Sequence, residues 1–276
     1  MFVNLLKSKI TYLIILTYAF FVGFWLFLLL TDRKEGSLNN AYGLAYSFVA
    51  LFGGVLGFVV ARRWGGFRSQ VGRGITFFSL GLLSLAFGQM VFSYYNFISD
   101  VEIPFPSIAD IGYTAIILFY FLGASSLLRA SGGKFGLKTW TGKLAAPIIP
   151  LVMLSASYFV LLDHIDTSEL SSLGAILSIG TPLGQAIYIS VAILAFLLSR
   201  KLLGGVMRKR ILFLIGALTM EYIAEFTFFY QVNKETYYNG GIDDLFFATA
   251  IITMILGIYS LHLKSPAKEQ IEAENE

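Results

Sequence analysis

The chain has 276 residues, of which 57% are hydrophobic and only 13% are charged, and its formal net charge is +3. This composition, with a mean hydropathy of +0.74, excludes a soluble globular protein. The basic residues are spread over many loops and do not form one basic face, so we expect no nucleic acid among the partners.

Apolar stretches of about 20 residues, the length that crosses a bilayer, alternate with short charged loops along the chain. They predict an all-α, polytopic membrane protein with eight transmembrane helices, because a helix satisfies its own backbone hydrogen bonds inside lipid. The predicted spans are roughly 10–31, 41–62, 73–98, 108–129, 144–163, 172–199, 210–231 and 242–263. They form a single transmembrane domain over residues 1–263, which is followed by an acidic tail over residues 264–276.

The loops alternate in charge from one side of the predicted bundle to the other. Of the 20 Lys and Arg residues, 17 fall on one side, and only Arg33, Lys34 and Lys234 fall on the other. Because basic loops stay in the cytoplasm, this asymmetry predicts that the termini and the acidic tail are all cytoplasmic.

The second half of the chain repeats features of the first half. Ile108-Ala109-Asp110 at the start of the fourth span matches Ile242-Asp243-Asp244 at the start of the eighth, and both fourth and eighth spans continue with further identities. The third and seventh spans match at nearly the same offset, whereas the first and fifth do not match convincingly. We interpret residues 10–130 and 144–263 as two parallel four-helix repeats about an axis along the membrane normal.

The chain offers few groups that hold a cofactor. It has no Cys, which excludes disulfides, iron–sulfur clusters and thiolate metal sites. His164 and His262 are predicted near opposite membrane faces, which argues against a bis-His haem. No HExxH, G-x-S-x-G or Walker A sequence is present. We therefore expect no cofactor, no metal site and no catalytic residues.

Residues 94–110, which read YYNFISDVEIPFPSIAD, form the most distinctive loop. Pro104 and Pro106 exclude a helix there. Ser107 or Ile108 then begins the fourth span, with Asp110 in the first turn, where the helix dipole favours a carboxylate. Two interpretations stay open: a rigid loop that caps the helix, and a loop that shapes the mouth of an outward-facing ligand pocket.

This loop also carries a resemblance. Tyr95-Asn96, the acidic Glu102, the Pro-x-Pro-Ser-x-Ala-Asp sequence and the following Tyr113 are a pattern that resembles the multi-span N-terminal sensor regions of bacterial GGDEF/EAL and histidine-kinase signalling proteins. The resemblance covers mainly residues 89–127. It implies a module of the bacterial inner membrane that senses a signal and passes it to a cytoplasmic signalling partner. Because this sequence carries no output domain, we expect a stand-alone sensor-like module without kinase or cyclase activity.

Glu221 and Glu225 are the only acids well inside a predicted span. Their spacing places both on one face of the helix. Carboxylates inside a membrane are costly and usually face a cavity or a partner. Gln89 occupies nearly the equivalent position in the first half. The pair is either a polar clasp between helices or a site for a proton, a cation or an amine ligand.

We predict a cavity that opens toward the outer loops. Its predicted ligand-binding residues are Gln89, Tyr95, Asn96, Glu102, Ser107, Asp110, Tyr113, Glu221, Glu225, Asp243 and Asp244. The favoured function is a sensor or receptor-like module that binds a small ligand or ion from the outer side of the lipid bilayer. A proton-coupled transporter of small solutes and a membrane-embedded hydrolase with paired carboxylates are the alternatives.

Overall fold

A computed structural model describes residues 8–98, 103–163, 165, 168, 170–199 and 205–262, so the tail over residues 264–276 lies outside the described part. The long helices are α1 (Lys9–Leu30), α2 (Ser37–Arg63), α3 (Gln70–Ile98), α4 (Ala109–Ala130), α5 (Trp140–Ser157), α6 (Ser172–Ser199), α7 (Gly205–Asn233) and α8 (Ile242–His262). All eight, with α5 continued to Leu162, are long and apolar enough to cross a membrane. The described residues contain no strand. The predicted all-α polytopic fold is confirmed.

When α5 is continued to Leu162, the helix ends agree with the predicted spans to within five residues. A π-helical turn, Tyr158–Leu162, continues α5. At the other end of α5, the hydroxyl of Thr139 accepts a hydrogen bond from the amide of Gly142 at 3.2 Å, which caps the helix. Pro182 lies inside the uninterrupted helix α6. Prolines are tolerated in membrane helices because neighbouring groups satisfy the freed carbonyls.

The connections define two ends of the bundle. The acidic end carries the described loops 31–36, 103–108 and 234–241. The basic end carries the described loops 64–69 and 131–139. Consecutive helices run in opposite directions between these ends. The first turns of α4 and α8, with their carboxylates, therefore both lie at the acidic end.

The helices of the two halves pack in matching pairs. Within the first half, α3 packs on α2 and α4; within the second half, α7 packs on α6 and α8. Between the halves, α4 packs on α6, and α2 packs on α8. Exchanging the halves converts each of these two interfaces into the other. Superposition of the halves themselves stays a prediction.

Individual contacts follow the same pattern. Gly53 of α2 lies against the side chain of Ile255 in α8. Tyr188 of α6 packs edge-on against Tyr120 of α4, with ring centroids 5.9 Å apart. An offset of 135 residues relates position 53 to 188. The offset of 134 that relates Asp110 to Asp244 takes position 120 to 254, which is next to 255. The contacts at the two interfaces between the halves therefore lie at nearly matching positions.

Helices α1 and α5 lie at the periphery. Only 17% of the apolar window of α1 and 11% of that of α5 are buried, against 61% for α8. Helix α1 packs on α2 and α8, whereas α5 packs on α6. These are also the two spans without a convincing sequence match. The six other helices form the core that surrounds the site.

Candidate ligand-binding site

A cavity of about 490 Å³ lies between the two halves at the acidic end. Helices α2, α3 and α4 line it from the first half, and α6, α7 and α8 line it from the second half. The loop over residues 103–107, together with Ile165 and Tyr237, also contributes to the lining. Cavities of this size hold small organic molecules.

Asp244 joins the two halves across this cavity. The hydroxyl of Tyr46 donates a hydrogen bond to Oδ1 of Asp244 at 2.8 Å, and the amide of Gly240 donates to Oδ2 at 2.6 Å. Gly240 has a φ of +79°, a left-handed conformation that favours glycine. Both carboxylate oxygens of Asp244 are thus satisfied, one by α2 and one by the turn before α8.

Asp110, at the equivalent position of the first half, takes its donors from its own loop. The amide and the hydroxyl of Ser107 donate to Oδ2 of Asp110 at 2.6 and 3.1 Å. The hydroxyl of Ser107 also accepts a hydrogen bond from the amide of Ala109 at 3.2 Å. This reciprocal arrangement caps α4. Ser107 and Asp110 also line the cavity, so the cap and the cavity wall are the same structure.

Gln89 is positioned by two helices. Its Oε1 accepts a hydrogen bond from the hydroxyl of Tyr113 in α4 at 2.8 Å. Its Nε2 lies against Gly43 of α2, where a Cβ atom would come within 2.5 Å. Only glycine leaves space for the amide at that position. Gln89 and Tyr113 both line the cavity.

The two intramembrane glutamates lie at different depths. Glu225 lines the cavity, and the side chain of Gln185 in α6 donates a hydrogen bond to its carboxylate. Glu221 lies one turn farther from the acidic end, about 6 Å along the helix axis. It is 2% exposed and is not among the lining residues. Its Oε1 has no hydrogen-bond partner among the described residues.

Asp243 is the least satisfied carboxylate of the cavity. Its side chain is 1% exposed, and neither carboxylate oxygen has a hydrogen-bond partner of normal geometry among the described residues. The backbone amides of residues 243 and 244 lie close to it. An ionised carboxylate that is buried without a partner costs several kcal/mol. A donor or a cation that contacts Asp243 would therefore stabilise its ionised form.

The lining combines acidic and aromatic side chains. Four of the lining residues are carboxylates, and none of the described lining residues is Lys, Arg or His. The aromatic lining residues are Tyr46, Phe92, Phe105, Tyr113, Phe228, Phe229, Tyr237 and Phe247. The faces of aromatic rings attract cations, as do carboxylates. The chemistry of the cavity thus favours a positively charged ligand.

Tyr237 holds the loop over residues 234–241 against α2. Its hydroxyl donates to Oδ1 of Asn239 at 2.7 Å, and Nδ2 of Asn239 donates to Oδ1 of Asn40 at 2.8 Å. Burial, together with the charges of Asp244 and Asp243, raises the pKa of Tyr237 well above its ordinary value. Tyr237 therefore stays protonated and remains a hydrogen-bond donor at neutral pH.

The structure brings together most of the predicted site residues. The lining contains Gln89, Ser107, Asp110, Tyr113, Glu225, Asp243 and Asp244.

Three other predicted residues are described but are not part of that lining. The ring of Tyr95 packs edge-on against Tyr94, with centroids 6.1 Å apart. The side-chain Nδ2 of Asn96 donates a hydrogen bond to the backbone carbonyl of Phe92 in its own helix at 3.2 Å. Glu221 lies below the cavity floor, as described above, and Glu102 lies outside the described residues.

Sequence reasoning missed Tyr46, Gln185 and Tyr237. Tyr46 was predictable, because Asn39, Tyr42 and Tyr46 recur at helical spacing and form a polar stripe on the buried face of α2. Gln185 carried the weaker signal of an amide inside an apolar span, which is costly without a partner. Tyr237 lies in a polar loop that offers several side chains for the site, and only the folded structure shows that Tyr237 is the one that lines the cavity.

No protein-family model, curated protein or solved structure matches this chain. The resemblance of residues 89–127 to bacterial sensor regions therefore stays a prediction.

Proposed function

We propose that this protein is a membrane sensor or receptor-like module that binds a small ligand in the cavity at its acidic end. The observation that carries the proposal is the cavity itself: it has the volume of a small-molecule site, and both halves of the bundle line it. Its polar groups converge from six helices. A ligand that contacts both halves acts on their relative arrangement.

The distribution of basic residues supports entry of the ligand from outside the cell. By the predicted topology, 17 of the 20 Lys and Arg residues fall on the side of the basic end. By the positive-inside rule the basic end is cytoplasmic and the acidic end faces outward. A ligand that binds one arrangement of the halves more tightly shifts the population toward it. A cytoplasmic signalling partner would read this shift at the basic end.

The test is a search for co-purified ligand in the full chain by mass spectrometry. Ser178 lines the cavity, so Ser178→Trp should fill it and remove any bound molecule. Ile176, two residues earlier in α6, is 65% exposed, so Ile176→Trp is the matched control. We expect one small molecule to be present in the wild type and the control, and to be absent from Ser178→Trp. The same molecule at equal amounts in all three proteins would refute binding in the cavity.

Proton-coupled transport is a second candidate, and Glu221 favours it. Glu221 lies one helical turn farther from the acidic end than the cavity residue Glu225, and its Oε1 has no hydrogen-bond partner among the described residues. A proton bound at Glu225 would pass next to Glu221. A transporter would accumulate ligand in proteoliposomes under a proton gradient, and Glu221→Gln would stop accumulation while ligand still binds. A receptor would bind without accumulation in both proteins.

A further inference from the structure

We propose that the ligand of this cavity is a small organic ammonium compound, whose charged nitrogen pairs with Asp243 and whose apolar part lies among the aromatic side chains. The inference rests on the proposed function, because it names the class of ligand for the same site. It assigns to Asp243 the role of ligand anchor.

The hydrogen bonds of the carboxylates single out Asp243. Asp110 accepts from Ser107, Glu225 accepts from Gln185, and Asp244 accepts from Tyr46 and Gly240. Asp243 lines the cavity, and neither of its buried oxygens has a hydrogen-bond partner of normal geometry among the described residues. Only the backbone amides of residues 243 and 244, in its own helix turn, lie close to it. No described side chain donates to Asp243, so a ligand would supply that donor.

The charge of the lining determines the sign of the ligand. Four carboxylates line the cavity, and the described lining residues include no basic side chain that could neutralise them. An anionic ligand would meet repulsion from every acidic group. An ammonium group instead offers up to three N–H donors and a positive charge to Asp243.

The size and the walls of the cavity favour an organic cation over a metal ion. A volume of about 490 Å³ is far larger than a single ion requires. Phe247 lies four residues after Asp243 on the same face of α8, and both line the cavity. The ring of Phe228 packs on Tyr237 at a centroid distance of 5.0 Å, which forms an aromatic wall. Such walls bury the apolar part of a ligand and attract its cationic end.

The first experiment compares three probes on the full-length wild type in detergent. The probes are 2-phenylethylammonium, its neutral analogue 2-phenylethanol, and calcium ions, and binding is measured by calorimetry and by thermal shift. We expect the ammonium probe to bind at least about tenfold more tightly than the alcohol, because a hydrogen bond to a charged group adds that much. We expect calcium not to compete. Equal affinity for the alcohol, or displacement of the ammonium by calcium, would overturn the assignment.

The second experiment tests the anchor. Asp243→Asn keeps the shape and removes the charge, and Glu35→Gln removes the same charge from an exposed side chain at the acidic end that does not line the cavity. We expect Asp243→Asn to weaken ammonium binding by about tenfold to a hundredfold, and Glu35→Gln to weaken it by less than about threefold. Equal losses would show a general charge effect and refute an anchor at Asp243.

The outcomes separate this inference from the proposed function. If Asp243→Asn does not fold, the comparison of probes on the wild type still decides the ligand class. If a neutral or anionic molecule co-purifies and Ser178→Trp excludes it, the cavity is a ligand site but the ammonium assignment is wrong. If Ser178→Trp retains the bound molecule, binding in the cavity itself is refuted.

Discussion

Asp110 and Asp244 occupy matching positions of the predicted repeat, 134 residues apart, but they accept hydrogen bonds from different parts of the protein. Asp244 accepts from Tyr46 of the opposite half. The residue 135 positions after Tyr46 is Thr181, whose side chain is much shorter, and Asp110 binds Ser107 of its own loop instead. One exchange of a long hydroxyl side chain for a short one thus makes the two halves unequal. A cavity with two unequal sides holds an asymmetric ligand in one orientation.

Gly43 gives the sharpest prediction for a single residue. Because Gly43 has no Cβ, the side-chain amide of Gln89 fits against it. Gly43→Ala should therefore displace this side-chain amide and break the hydrogen bond that it accepts from the hydroxyl of Tyr113. We expect a loss of about 1–3 kcal/mol in the free energy of unfolding, the usual cost of overpacking. Measurement in mixed micelles with increasing SDS reports this value.

Two further variants control that experiment. Adding Gln89→Ala should restore part of the stability of Gly43→Ala, because it removes the clash. Gly23→Ala in α1 meets open space and should change stability by less than about 0.5 kcal/mol. A double variant no more stable than Gly43→Ala would show that the clash lies elsewhere.

Tyr237 yields a prediction about alkaline pH. Its raised pKa means that the folded state retains the phenolic proton when the unfolded chain has lost it. The stabilising contribution of Tyr237 is therefore complete below pH of about 10, the pKa in the unfolded chain, and declines above it. Tyr237→Phe should be less stable at pH 8 by about 1 kcal/mol, through the lost bond to Asn239.

The difference in stability between wild type and Tyr237→Phe should then shrink as the pH rises from about 9 to 11. Thermal unfolding at several pH values measures it. A difference that is constant or grows over this range would mean that the hydroxyl is not buried in the folded protein.

The helices themselves were predictable from the sequence, and the interfaces between them were not. The length of each apolar stretch predicted that a span is present and where it begins and ends, because the bilayer imposes a length on each helix. The pairing of α4 with α6 depends on side-chain fit, as at Gly184, where a Cβ would lie 2.8 Å from Cγ2 of Ile117. Hydropathy carries no information about such fit, since the lipid-facing and the buried positions of these helices are equally apolar.

The interface between α4 and α6 can be tested with a disulfide, since the chain has no Cys. A Cβ at Gly184 would lie 3.9 Å from Cβ of Ile117, within the range of a disulfide. The variant Ile117→Cys/Gly184→Cys should therefore cross-link on mild oxidation in membranes. Gly180 has nothing within 4 Å of its Cβ position, so Ile117→Cys/Gly180→Cys is the control. Protection of both thiols from a maleimide reagent measures the bond, and equal protection in the control would contradict this packing.

At the scale of the whole molecule, the predicted repeat would account for the place of the site. Exchanging the two halves exchanges the interfaces α4–α6 and α2–α8, so the axis of the predicted repeat would pass between them. The cavity occupies this region and takes lining residues from both halves. The sequence indicated the two acidic helix starts and Glu225, because charges stand out in apolar spans. It could not indicate the aromatic walls, since Phe and Tyr occur throughout the lipid-facing surface as well.

Orientation in the membrane determines whether this cavity opens outside the cell, and it gives the last prediction. The 17-to-3 distribution of Lys and Arg predicts that the acidic end is outside. Single cysteines can replace the exposed Glu35 and Thr236 at that end, and the exposed Phe67 and Thr141 at the basic end. None of these four changes alters a basic residue, so the charge pattern that sets the orientation is kept.

A membrane-impermeant maleimide added to intact cells should label Glu35→Cys and Thr236→Cys only, and all four variants should react after the cells are opened. The physical reason is that Lys and Arg near the ends of spans are costly to translocate, so 17 of them hold the basic end inside. Labelling of Phe67→Cys and Thr141→Cys in intact cells, without labelling at the acidic end, would place the cavity mouth on the cytoplasmic side. The protein would then bind a ligand from inside the cell, and the outward-facing receptor would be excluded even if the cavity binds an ammonium compound.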